Sequence, residues 1–256
     1  WNRALTATEV QNVMYKTYAE VSGRLGDSTL VAWWSLDGQV DSNGNAGSGY
    51  ILDEVAGAGS TTNLGTITGA TVDTDLYGGD TPVKPRAIDN APTVQADAIG
   101  SGSAYFDGTD DYIAIGNASD LNFTTGSFTV GCWAKTSTTG NDGIVCKDLR
   151  WQMLIDTSNK LQFALYDGTN NPAIAGGTSI NDGEWHYLTA VRHTSDDKLY
   201  VYVDGVLDGS VTDSTTTTIA SSDTVDIGRR QDSGEFFNGN IDEVSIWNKA
   251  LSAGDI

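Results

Sequence analysis

The stretch Lys198–Val211 reads KLYVYVDGVLDGSV, with apolar residues at every second position on the approach to Asp204-Gly205 and another apolar pair beyond it. Alternation puts successive side chains on opposite faces of an extended strand, so such a run has one face to bury and one to leave outside. A two-residue connection between paired strands needs positive φ at both positions, which Asp-Gly accepts. The pattern therefore predicts an antiparallel hairpin. Shorter runs of the same kind follow one another along the chain: SAYFDGTDDYIAIG, GSFTVGCWAKT, DGIVCKD, WQMLIDT, KLQFALYDG, EWHYLTAVRH, DTVDIGRR and NIDEVSIW. Asp107-Gly108 and Asp167-Gly168 carry the same dipeptide. Many short strands separated by turns predict an all-β chain folded as a two-sheet antiparallel sandwich.

Composition agrees. There are 30 Gly against 4 Pro, with Asp, Asn, Ser and Thr plentiful, a balance that favours strands and turns over helices. One helix is predicted, at the N-terminal side, where Thr6-Ala-Thr-Glu9 has the form of a capping box. Val10, Val13, Met14, Tyr18 and Val21 then recur at helical spacing, and Gly23 and Gly26 supply a break. A strand is predicted in LVAWWSLDG from Leu30. The stretch from Asp41 to about Gly102 reads as loop with short extended pieces.

With 34 acidic and 14 basic side chains, the net charge of −20 repels a phosphate backbone, and nucleic acid is excluded as a partner. No apolar run is long enough to cross a bilayer as a helix, so membrane insertion is not expected. Only six of the acids are glutamates. Aspartate is both a turn former and an oxygen ligand for hard cations, so its excess fits either role. Cys132 and Cys146 flank a polar Gly-containing segment that reads as a hairpin loop, across which they could face each other. A disulfide and two buried thiols are both open.

Three segments, DGEWHYLTAVRH, LYVYVDGVLDGS and GNIDEVSIWNKALS, with YFDGTDDYIAIG and SFTVGCWAK in the same order, together resemble the laminin-G-like, concanavalin A-like jelly roll. The resemblance covers roughly Leu30 to Ile256. In that family the last strand carries DEV and the chain then turns through WN-[KR]-AL-[ST] into a short helix. Here that turn is WNKALSAGDI, Trp247–Ile256, and Trp1–Val10 reads WNRALTATEV. The resemblance thus implies that residues 1–26 are the tail of a preceding laminin-G-like repeat with its linker, and that residues 27–256 are the jelly-roll domain. The block YGGDTPVKPRAIDNAPTVQADAIG resembles inserts in laminin-G-like domains of marine bacteriophage virion proteins.

Glucanases of this fold carry paired glutamates on one strand, acid and nucleophile. Glu9, Glu20, Glu54, Glu184, Glu235 and Glu243 are scattered singly, so the chain is expected not to be an enzyme. A glycoside hydrolase is the minor alternative. Members of the fold often hold a structural calcium ion between the first-strand region and the last strand. The matching positions are Asp41, Asn43 and Asn45 in DSNGN and Asp242 in NIDEV, oxygen donors of the kind Ca²⁺ takes. A ligand face needs rings beside amides and charged groups. The candidates are Tyr77, Trp151 and Tyr166, with Arg229, Arg230, Asp232 and Glu235 in RRQDSGEFF. The expectation is a noncatalytic adhesion module on an extracellular or virion surface, its partners a surface glycan or protein and neighbouring laminin-G-like repeats. A purely structural spacer or virion decoration is the alternative. A binder should cluster exposed aromatics at one rim, and a spacer should not.

Overall fold

The computed structural model describes residues 103–256 and the strand segments 30–34, 50–51, 65–68 and 71–72. The predicted helix at Thr6–Val21, with Asp41, Asn43, Asn45 and Tyr77, lies outside the described residues. The strands are β1 (Leu30–Trp34), β2 (Tyr50–Ile51), β3 (Gly65–Thr68), β4 (Thr71–Val72), β5 (Ala104–Asp107) and β6 (Tyr112–Gly116). After one 3-10 turn at Ser119–Leu121 come β7 (Phe128–Lys135), β8 (Gly143–Lys147), β9 (Trp151–Ile155), β10 (Lys160–Leu165), β11 (Ala173–Ser179) and β12 (Trp185–His193). The last six are β13 (Lys198–Val203), β14 (Val206–Thr212), β15 (Val225–Ile227), β16 (Arg229–Arg230), β17 (Glu235–Phe236) and β18 (Asn238–Trp247).

Two antiparallel sheets form a sandwich. Sheet A runs β14-β13-β12-β7-β18-β5-β4, with β1 also pairing β18, and sheet B runs β11-β10-β9-β8-β15-β6-β3-β2. The Asp-Gly hairpin forms as the sequence predicts: Val203 faces Val206, and Asp204 and Gly205 have φ of 53° and 77°. The other two Asp-Gly pairs are not tight hairpins. Asp107-Gly108 carries the chain from sheet A to sheet B, and Asp167-Gly168 sits in the longer loop joining β10 to β11.

Register shows which residues fill the space between the sheets. Across sheet B, Phe163, Met153, Val145, Ile227 and Ile113 stand side by side, and all five belong to the buried core. Across sheet A, Leu188 faces Cys132 and Val203, and Ala190 faces Val130 and Val201, again all core. Alternation sends the intervening Tyr187, Tyr200, Tyr202 and Trp133 to the outer face of sheet A. These rings therefore do not enter the core between the sheets. At one end Phe128 stacks on Phe123 at 4.4 Å and meets Trp151 and Phe163 at 5.7 and 5.8 Å.

Cys132 lies in β7 of sheet A and Cys146 in β8 of sheet B, so they do not face each other across a hairpin. Both are buried free thiols, and burial pushes both well above the usual thiol range. Cys132 points into the core, whereas Cys146 pairs Gln152 and Asp226 on the opposite face of sheet B.

The Trp247–Ile256 motif closes the fold. Thr129 Oγ1 donates to the Lys249 carbonyl at 2.8 Å and accepts from the Leu251 amide at 3.0 Å, and Trp247, Leu251 and Ile256 are buried. Ser252–Asp255 makes a single capped turn, not a helix.

Phe128→Ala removes the ring around which Phe123, Trp151 and Phe163 pack. Emptying such a site should cost about 3–5 kcal/mol, read as a lower denaturant midpoint in equilibrium unfolding.

Candidate binding site

The row beside the core row in sheet B is Ala164, Gln152, Cys146, Asp226, Ala114 and Thr66, one residue from each of six neighbouring strands. Directly opposite residues share a face, so this row points away from the core. A carboxylate in mid-sheet would normally meet solvent, yet Asp226 is wholly buried. What covers it is the β16–β17 hairpin. Gly228, at φ +83°, takes the chain out of sheet B, and a side chain there would run into the Phe106 ring. Arg229 then turns back onto Asp226, donating from Nε at 2.7 Å and from a terminal nitrogen to the same oxygen. Thr224 Oγ1 donates to the other oxygen at 3.0 Å. The Arg229 guanidinium also lies 3.5 Å over the Tyr112 ring, whose other neighbour is Phe236 at 6.4 Å. Cation–π contact and ion pairing thus fix this arginine twice.

Arg230, the next residue, holds the hairpin's acidic groups. Its Nε and one terminal nitrogen make a two-point contact with Asp232 at 2.9 and 3.0 Å, and the other terminal nitrogen reaches Glu235 at 3.0 Å. Gln152 from β9 donates to Asp232 at 2.9 Å, and the Asn141 amide donates to both Glu235 oxygens at 3.1 and 3.0 Å. Ser233 Oγ donates to Glu235 at 2.7 Å. The result is a fixed cluster of carboxylate oxygens, guanidinium, amides and two half-buried rings above one sheet face.

The structure thus brings together Arg229, Arg230, Asp232 and Glu235 as the sequence suggested. It adds Tyr112, Asn141, Gln152 and Asp226 from other elements, which no local pattern marks, and Phe236 from within the same stretch. Trp151 is corrected: it is wholly buried against Phe123 and Phe128 and offers no face to a ligand. Tyr166 stands elsewhere, donating to the Gly168 carbonyl at 3.0 Å with the Arg150 guanidinium 5.9 Å from its ring centre. Among the described residues, the exposed large hydrophobics are Leu149, Val206 and Leu207, and none is aromatic. Any recognition at the hairpin must therefore rest on polar groups more than on open ring faces.

Asp242 is also wholly buried. It pairs Trp133 on the outer face of sheet A, and the register slips just after it, where Glu243 adopts φ +47°. The bulge leaves two adjacent buried carboxylates, with the Glu243 amide donating to Asp242 at 2.9 Å. The described glutamates lie apart. Glu184 is exposed before β12, Glu235 lies over sheet B, and Glu243 is in sheet A.

The family model described as the concanavalin A-like lectin/glucanases superfamily, Laminin_G_3, matches residues 107–256. The chain belongs to this superfamily. No curated protein matches the sequence. Among solved structures, this concanavalin A-like chain is similar to the binding domain of Paraclostridial Mosquitocidal Protein 1, with 15% identity and a TM-score of 0.59, over 88% of this chain and 50% of that one. It is similar to domain 4 of AbnA, a GH43 extracellular arabinanase from Geobacillus stearothermophilus, in complex with arabinotriose. There the identity is 20% and the TM-score 0.57, over 89% of this chain and 96% of that one. The ligand-binding domain of Botulinum neurotoxin serotype D, in complex with N-acetylneuraminic acid, shares 15% identity with a TM-score of 0.55, over 89% and 49%. The chain spans about half the length of the two toxin domains. At these identities the likeness is one of fold, and the solved neighbours are binding domains.

Beside the cluster, burial and then the charge of Glu235 hold the Asp142 carboxyl above the usual range, against the Asn141 amide that favours its ionised form. The folded domain binds this proton more tightly than the unfolded chain does. Stability from this group therefore falls as pH rises from the ordinary aspartate range through the raised folded value. Asp142→Asn should raise the melting temperature at neutral pH, with the gain vanishing below about pH 4. Thermal melts of both proteins across pH measure this.

Proposed function

We propose that this domain is a noncatalytic glycan-binding module whose ligand contacts the β16–β17 hairpin above sheet B. The observation that carries this reading is the fixed cluster of Arg230, Asp232, Glu235, Gln152 and Asn141, which joins donors and acceptors from three parts of the chain. A polyhydroxylated ligand needs such paired donors and acceptors, already oriented, so that little ordering entropy is lost on binding. The sugar complexes of AbnA domain 4 and of the neurotoxin D domain lend support, as proteins of like fold. The scattering of the glutamates supports the absence of hydrolysis. An extracellular or virion surface fits a module of this kind, and the near-repeat of Trp247–Ile256 at Trp1–Val10 fits neighbouring repeats in an array.

A glycan array followed by calorimetry tests the reading, with arabino-oligosaccharides, sialylated sugars and β-glucans among the probes. Arg230→Ala and Glu235→Gln should each weaken a bound sugar about tenfold or more, the loss expected when a charged hydrogen-bond partner is removed, while melting changes little. No reducing ends should appear on prolonged incubation. The lack of exposed aromatics among the described residues favours a second reading, a structural spacer. Absence of binding across the panel, or binding unchanged in both variants, would leave that one standing.

The calcium site is proposed with Asp242 as its central ligand. Ca²⁺ takes oxygen ligands, carboxylates among them, and the bulge sets two carboxylates side by side. In the antiparallel pairing of β1 with β18, Leu30 faces Trp247 and Trp34 faces Val244, so β1 runs toward Asp242. Asp41, Asn43 and Asn45 follow it in sequence. Calcium binding only the folded state raises the melting temperature by mass action. A shift between chelator and excess calcium is expected, lost in Asp242→Asn; identical melting in both solutions removes the site.

A further inference from the structure

Lys147, the last residue of β8, is among the largest fully buried side chains of the domain. The side chain's one described hydrogen bond runs from Nζ to Asn117 Oδ1, at 3.0 Å. Asn117 directly follows Gly116, whose φ of +84° turns the chain out of β6. In sheet B, β15 lies between β8 and β6, with Val225 facing Gly116 and Asp226 facing Cys146. The lysine side chain therefore bridges the end of β15 to reach an asparagine two strands away. Asp223, just before β15, is the carboxylate whose charge this amine feels, while burial holds the ammonium below the usual lysine range. Asn117 itself is exposed.

We propose that Lys147 and Asn117 form an intramolecular isopeptide bond, with Asp223 as the proton carrier. A buried primary amine, an amide whose carbonyl oxygen it already contacts, and a carboxylate two residues before Val225, which faces Gly116, are the parts that amide exchange requires. The carbon to be attacked is one C=O bond, about 1.2 Å, beyond the contacted oxygen, so only a modest side-chain rotation separates contact from attack. The neutral amine of Lys147 adds to Asn117 Cγ, and the Nζ–Cγ bond forms. Asp223 takes a proton from Nζ and delivers it to Nδ2. The Cγ–Nδ2 bond breaks, and ammonia leaves on the exposed side of Asn117. One primary amide and one amine become one secondary amide and one ammonia, with no change of oxidation state. Proximity within a folded site makes such a step effectively unimolecular. The bond would tie β6 to β8 across β15 and restrict the unfolded chain as any cross-link does.

Intact mass spectrometry of the full chain, denatured after purification, decides the matter. The expected mass is that of the sequence less one ammonia, with a proteolytic fragment in which the Asn117 and Lys147 peptides are joined. Lys147→Arg and Asn117→Ala should both restore the full sequence mass, and Asp223→Ala should leave most of the protein unlinked. A wild-type mass equal to the sequence overturns the proposal without any variant. So does a deficit that persists in Asn117→Ala, which would mark ammonia loss at another asparagine.

Discussion

The pairing of β18 is the constraint on which the rest of the structure depends. This ten-residue strand lies against β7 on one side and against β5 and then β1 on the other. Every buried backbone amide and carbonyl needs a partner, and a strand in mid-sheet finds its partners only in its neighbours. Here those neighbours come from both halves of the chain, so sheet A cannot be completed until the last strand is in place. That requirement also creates the hairpin site. The chain leaves sheet B at β15 and must enter sheet A at β18, and β16–β17 is the excursion it makes on the way. Gly228 and Phe237 fix the two ends of the excursion: the Phe237 amide donates to the Gly228 carbonyl at 2.9 Å, and Phe237 is buried against Phe106.

The acidity of the chain finds much of its explanation in turn geometry. Asp107, Asp156, Asp167, Asp182 and Asp213 each accept the backbone amide two residues later. This is the local bond by which aspartate competes with regular structure and shapes loops. Asp167 goes further. It also accepts the amides of Asn170, Thr216 and Thr217, tying the β10–β11 loop to the threonine run before β15, and these donors hold its carboxyl far below the usual range. The basic residues are spent internally too, as in the Arg192–Asp213 pair at 2.8 Å, where both side chains are nearly buried.

Much of the fold was legible because strand alternation and turn chemistry act locally. The φ values of Asp204 and Gly205 are those that a tight hairpin demands, and Leu199, Val201 and Val203 fill the core as their spacing requires. Strand β11 was not legible: Ala173–Ser179 has no apolar alternation and is mostly exposed, held by its pairing with β10. The choice of face was hidden as well. Leu188 and Ala190 go inward while the larger Tyr187 goes outward, because register with β7 and β13, not side-chain size, sets the face. Within the site, the four charged residues of RRQDSGEFF were readable as a cluster. Gln152, Asn141 and Tyr112 were not, since each arrives from a different element and carries no signature of its own.

One pair of lateral edges is closed by the sandwich itself. Strands β14 and β11 end their sheets on the same side, where each would present unpaired backbone groups to another chain. They are turned toward each other instead. Asp208 of β14 accepts from the Thr178 amide of β11 at 3.1 Å and from its hydroxyl at 2.8 Å, and the missing side chain of Gly176 leaves room for that carboxylate. A carboxylate seated on an edge amide both satisfies it and repels a second acidic chain. The outer face of sheet A is crossed by the closing segment, from Thr129 at Leu251 to Gly205 near Ile256. On the outer face of sheet B, among the described residues, polar groups from several strands meet under a hairpin that the crossover itself put there.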